Sequence, residues 1–137
     1  AGASPAQIAA MEAYGQSLGT AFQIQDDILD LVGDVNSVGK TLGIDVEKGK
    51  LTLPLIHFLR SAPPEHRALL RSLLSSPDAD RAERIRNLVI PSSSLDYARD
   101  CARRLVERAR HQLLALPYTE ARSVLDTMAE FVIARPL

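Results

Sequence analysis

Apolar residues recur at helical spacing through most of this chain, and nowhere do they alternate with the period of two that marks a strand. Ser4-Pro5 opens the first such stretch as N-cap and first helical residue. From there Ile8, Met11, Leu18, Phe22 and Leu29 mark a helix that meets no breaker until about Leu31. Gly15 and Gly19 stand one turn apart inside it. Each costs about 1 kcal/mol relative to Ala in a helix interior, so their pairing predicts a flat face that a second helix or a ligand approaches closely.

Residues 33–50 break the pattern. Gly33, Gly39, Gly43 and Gly49 fall here with Asp34, Asn36 and Asp45, which predicts an irregular segment of functional length. Thr52-Leu53-Pro54 then opens a helix to about Ser61, and Pro63-Pro64 ends it. Shorter amphipathic helices are predicted from Glu65 to Ser75 and from Pro77-Asp78 to about Val89. A long one follows from Leu95 to Leu116, and a last one from Thr119 to Ala134 with Val124, Leu125, Met128, Phe131 and Val132 as its stripe. There is no internal repeat, low-complexity tract or linker. The expected fold class is all-α.

Composition narrows the function. With 137 residues, 46% hydrophobic and 24% charged, the chain is long enough for a packed core and too apolar for disorder. Cys101 is the single cysteine, so no internal disulfide forms and a reducing, cytoplasmic compartment is expected. No apolar run approaches the roughly 18–20 residues of a membrane span, and the first residues lack the charged and apolar regions of a secretory leader. A net charge of -1 argues against a nucleic-acid binder. The charge is unevenly spread, however. Residues 1–59 carry three lysines, Lys40, Lys48 and Lys50, against seven acids; residues 60–137 carry all thirteen arginines against ten acids.

The chemistry concentrates where those lysines are. Asp26 and Asp30 lie one helical turn apart on one face, Asp27 flanks them, and Gln23 precedes them by a turn. Three acids near a helix C-terminus repel one another and oppose the helix dipole. Apolar Ile28, Leu29, Leu31 and Val32 surround them, so part of the cluster is expected to be buried and to need a partner. Mg²⁺ suits such a set, because it keeps several waters and bridges readily to phosphate. Gly39-Lys40 and Gly49-Lys50 then offer mobile ammonium groups that bind phosphate as point charges. Together they predict capture of a diphosphate, with metal on one side and lysine on the other. Neither a Walker loop nor a dinucleotide fingerprint is present. His57 is expected to be packed or capped, His66 and His111 to lie on the surface, Cys101 to be structural, and the arginines of residues 99–110 to form a solvated face.

Tyr14-Gly15-x-x-Leu18-Gly19-x-Ala21-Phe22-Gln23, Asp26-Asp27-x-x-Asp30, Gly39-Lys40, Gly43-x-Asp45 and Gly49-Lys50-x-Thr52-Leu53-Pro54 stand in this order. The series resembles the second aspartate-rich region of the trans-polyprenyl diphosphate synthases. Its Gly-Lys-x-Thr-Leu-Pro ending resembles the bacterial medium- and long-chain, octaprenyl-type members. The resemblance implies the helical bundle of the isoprenoid synthases and Mg²⁺-dependent condensation of an allylic diphosphate with isopentenyl diphosphate. It implies Asp26, Asp27 and Asp30 as metal ligands, with Asp26 and Asp30 in closest contact and Asp45 one layer behind. Lys40 and Lys50 would hold the leaving diphosphate, Gln23 would face the reacting centre and Phe22 would line the pocket.

Two departures accompany it. Gly43-Ile44-Asp45 stands where many bacterial relatives have Gly-Asp-Asp, and Asp26-Asp27 is the only Asp-Asp pair, so the family's first aspartate-rich motif and its arginine-rich isopentenyl site are missing. The chain is therefore expected to be the C-terminal half of a longer synthase: residues 1–32 a metal-binding helix, 33–50 a diphosphate-binding loop and 51–137 the closing helices. Alone it is expected to be inactive and to self-associate, with the N-terminal half and a second copy as partners. The competing readings are a non-catalytic helical module of the same descent and a terpene cyclase, the latter disfavoured by the paired Gly-Lys segments.

Overall fold

The computed structural model describes residues 2–32 and 44–134, and every element among them is helical. The elements are α1 (Pro5–Val32), α2 (Ile44–Glu47), α3 (Leu53–Ser61), α4 (Pro64–Leu74), α5 (Arg81–Val89), α6 (Ser94–Gln112), a 3₁₀ turn (Leu113–Ala115) and α7 (Glu120–Ala134). None is long and apolar enough to cross a membrane. Lys40, with the glycines of residues 33–43, lies outside the described residues.

Local chemistry accounts for most helix ends. At the start of α1, the Gln7 N–H donates to Ser4 Oγ (3.3 Å) and the Ser4 N–H donates to Gln7 Oε1 (2.8 Å), a reciprocal capping box. Pro54 and Pro64 sit in the first turns of α3 and α4, where no helical N–H is lost. Pro77-Asp78 does not start α5 as expected. Asp78 instead turns back on Ser76 Oγ through its N–H (3.2 Å), Arg81 donates to the Ser76 carbonyl (2.6 Å), and the helix begins at Arg81. The long helix tightens into 3₁₀ geometry after Gln112, short of Leu116.

The chain divides into two units. The first contains α1 up to Gln25, α6 from Asp100 and α7. Its core is built from small residues: Ala10, Tyr14, Ser17, Ala21 and Ile24 of α1, with Ala102, Val106, Ala109, Leu113, Ala129 and Val132. The Tyr14 hydroxyl donates to the Leu125 carbonyl (2.7 Å), and burial holds that phenol above its ordinary pKa. Here the predicted stripes need correction. Ile8 (59% exposed), Val124 (53%), Met128 (53%) and Phe131 (64%) do not enter this core. Gly15, Leu18, Gly19 and Phe22 of α1 instead join Val124, Met128 and Phe131 of α7 around an open apolar groove of about 720 Å³. A Cβ added at Gly15 or Gly19 would meet nothing within 4 Å. The close approach foreseen at these glycines is not made by the described residues.

The second unit runs from Asp26 to Arg99. Here α5 packs against α2, α3 and α4. Ile28, Leu55, Leu70, Ile85 and Val89 are fully buried, each burial stabilising by about 1.5–3 kcal/mol. His57 of α3 is held as expected of a packed histidine. Its Nδ1 lies 3.1 Å from Ser94 Oγ and 3.2 Å from Ser61 Oγ, and its ring stacks on Tyr97 at 4.1 Å between centroids.

Candidate functional site

The acids occupy the last two turns of α1, within the second unit. Successive helix residues are rotated by about 100°, so Asp26 and Asp30 share a face while Asp27 points away from Asp26. Ile28 and Leu31 are buried on the far side and fix the rotation of these turns. The Asp27 side chain is only 15% exposed, whereas Asp26 is open to solvent.

The second contribution comes from α2 and the turn that follows it. Val46 anchors this segment by burial (2% exposed). The Gly49 N–H donates to the Val46 carbonyl (3.0 Å) and the Lys50 N–H to the Asp45 carbonyl (2.8 Å). Gly49 has φ +70°, a left-handed conformation that lets the chain reverse after a helix and that side chains resist. The reversal brings Lys50 back over the acids. Its Nζ donates to Asp27 Oδ1 at 2.9 Å and to Asp45 Oδ2 at 3.0 Å. The Asp45 N–H in turn donates to Asp30 Oδ2 (3.1 Å). Asp27, Asp30, Asp45 and Lys50 thus form one connected cluster.

Its electrostatics follow from the geometry. The two carboxylates hold the Lys50 ammonium above the usual lysine range, so it stays charged. Burial pushes the Asp27 carboxyl up and outweighs the opposing pull of Lys50. Two of the three lysine N–H donors are used on carboxylates, and the side chain remains half exposed. Among the described residues, no three His, Cys, Asp or Glu side chains gather closely enough to hold a metal ion by themselves. The donor set nevertheless fits Mg²⁺ in kind. Carboxylate oxygens one turn apart on Asp26 and Asp30 match a hard ion that takes one or two carboxylates and fills its remaining positions with water and phosphate.

The structure therefore brings Asp27, Asp30, Asp45 and Lys50 together, leaves Asp26 on the exposed side of α1, and does not describe Lys40. Gln23 is exposed and Phe22 lines the apolar groove, both within the first unit. Two features escaped the sequence reading. The backbone bond from Asp45 to Asp30 has no signature in residue type. Gln25, 7% exposed with Oε1 unpartnered, could have been noticed as the polar residue between Ile24 and Ile28 on the buried face.

All-helical packing around a cluster of carboxylates buttressed by lysine is the class that fold and site define. The polyprenyl synthetase family model matches residues 1–89, and the chain belongs to that family. It is 38% identical over 134 residues to a short chain isoprenyl diphosphate synthase of Methanothermobacter thermautotrophicus, a match covering 98% of this chain and 41% of that protein. It is 34% identical over 136 residues to an octaprenyl diphosphate synthase of Haemophilus influenzae, covering 98% and 41%. A crystal structure of a geranylgeranyl pyrophosphate synthase from Corynebacterium glutamicum, complexed with calcium and isoprenyl diphosphate, superposes with a TM-score of 0.83 at 30% identity, covering 96% of this chain and 41% of that one. The chain thus spans about two fifths of the length of the curated relatives it matches.

Proposed function

We propose that the chain is the diphosphate-handling part of a cytoplasmic, Mg²⁺-dependent prenyltransferase. The whole enzyme would condense an allylic polyprenyl diphosphate with isopentenyl diphosphate and release diphosphate. The observation that carries this reading is the cluster in which Lys50 Nζ stands 2.9 and 3.0 Å from two carboxylates beside Asp30. Such a site suits a polyanion that arrives with its own counter-ion. The relative solved with calcium and isoprenyl diphosphate supports the pairing of a divalent ion with this ligand class.

The motif resemblance would give Asp26, Asp27 and Asp30 to the metal, with Asp26 and Asp30 in closest contact and Asp27 beside them on Lys50. Bound Mg²⁺ would supply Lewis-acid stabilisation of the charge that builds on a departing diphosphate. Lys50 and Lys40 would hold the leaving diphosphate, binding it harder as negative charge develops on its oxygens. Gln23 faces the reacting centre, and Phe22 offers apolar surface to the substrate. The remaining parts of the site, including the isopentenyl pocket, belong to the larger share of the relatives' length that this chain does not span. That share and a second copy of the chain are the proposed partners.

Two measurements test the reading. In the full-length enzyme, Asp26→Ala should lower kcat by on the order of a hundredfold while the far-ultraviolet circular dichroism stays unchanged. A loss of helicity in step with the loss of rate would overturn the ligand assignment. The 137-residue chain alone should not turn over labelled isopentenyl diphosphate. The alternative, a non-catalytic helical module, gains ground if the full-length protein is equally inert.

A further inference from the structure

We propose that Asp27 is a positioning residue rather than a metal ligand: with Asp45 it forms a two-carboxylate clamp that fixes the Lys50 ammonium, while Asp26, on the other side of the helix, turns to the metal. This inference rests on the functional reading above and assigns different work to neighbouring acids of one motif.

Three observations carry it. The first is direction. Adjacent helix positions diverge by about 100°, so the Asp27 carboxylate that meets Lys50 points away from Asp26, which lies on the exposed side of the helix. The second is occupancy. Asp27 is the least exposed of the two clamp acids (15% against 26% for Asp45), and its Oδ1 is already taken by a charge-assisted bond of 2.9 Å. A metal sharing that oxygen would compete with an ammonium held at two points. The third is scaffolding. The Gly49 reversal, the Lys50-to-Asp45 backbone bond and the Asp45-to-Asp30 bond all fix where the lysine stem begins. A flexible four-carbon side chain is thereby held at two points, with a third N–H donor left for phosphate. An ordered ammonium spends less conformational entropy when it binds an anion, which is the advantage of holding it in advance.

The test uses the purified chain labelled with ¹⁵N and ¹³C. Scalar coupling across the hydrogen bonds should connect Lys50 Nζ to the carboxylate carbons of Asp27 and Asp45, and the Lys50 ammonium should have a high order parameter. Asp27→Asn should remove one coupling and lower the order parameter, whereas Asp26→Asn should change neither. Asp45→Asn is the second variant. It leaves α1 untouched and should loosen Lys50 in the same way.

Mn²⁺ and inorganic diphosphate are then titrated by calorimetry. Asp26→Asn should weaken Mn²⁺ by about tenfold. Asp27→Asn should leave Mn²⁺ within about twofold and weaken diphosphate by about three- to tenfold. Equal losses of Mn²⁺ affinity in the two variants, or an unchanged Lys50 order parameter in Asp27→Asn, overturn the clamp. A native chain that binds neither ion, with Lys50 still loosened by Asp27→Asn, overturns the functional reading and supports the clamp.

Discussion

Arg110 and Asp126 join α6 to α7 through two bonds, Nε to Oδ1 at 2.6 Å and Nη2 to Oδ2 at 3.0 Å, with Glu130 accepting from the same guanidinium. The hydrogen bonds from Arg110 hold the Asp126 carboxyl below its ordinary range. A depressed carboxylate stabilises the fold at pH values above its unfolded pKa, and that contribution disappears as pH falls through the folded value. Both side chains are about two-fifths exposed, so screening limits the effect to about 0.5–1 kcal/mol. Asp126→Asn should therefore lower urea stability by that amount at pH 7, and the native and variant proteins should converge as pH falls below the ordinary aspartate range and through the depressed folded value. A gap that persists in acid would show that packing, not charge, is responsible. Sequence alone marked residues 99–110 as a solvated arginine face, which fits Arg99 and Arg103 in their local pairs with Asp96 and Asp100. It missed Arg110, because an ion pair between helices depends on their separation rather than on spacing within either one.

At the scale of elements, periodicity located the helices but misjudged which face of two of them is buried. An apolar stripe fixes the phase of a helix only when the opposite face is polar. α1 carries apolar residues on both sides. The closely packed side uses Ala10, Ser17 and Ala21, whose short side chains let helices approach. The bulkier Ile8, Met11, Leu18 and Phe22, which dominate a hydrophobicity count, were thus a misleading guide. Gly15 and Gly19 provide the corresponding test. With nothing within 4 Å of an added Cβ, Gly15→Ala and Gly19→Ala should each raise the stability of this chain by about 0.5–1 kcal/mol, read from chemical denaturation. Destabilisation by either would mean that the face is already covered in solution. Gly49→Ala should behave oppositely, because its φ of +70° penalises any Cβ.

For the molecule as a whole, the residues from Tyr14 to Pro54 were enough to point to a family, because they combine acids, lysines and glycines in a fixed order. What lies against the apolar groove was not legible, since surface complementarity belongs to two partners and only one is written in this sequence. Val124, Met128 and Phe131 at its rim are each more than half exposed. A groove of this size and polarity favours association in water. Sedimentation velocity on the isolated chain should show oligomers that grow with concentration, and a strictly monomeric profile would count against a covered face.

The Tyr14 hydrogen bond to Leu125 spans 111 residues of sequence. Its unit is assembled from the beginning and the end of the chain, with the entire second unit spelled out between them. A ribosome delivers those ends far apart in time. While residues 26–99 are being made, α1 has no α7 to pack against, and its core-facing alanines must wait. The second unit, by contrast, is contiguous in sequence. The helix that completes the first unit, α7, is therefore made only after the whole of the second unit, and a chain halted before it would leave Tyr14 without its Leu125 partner.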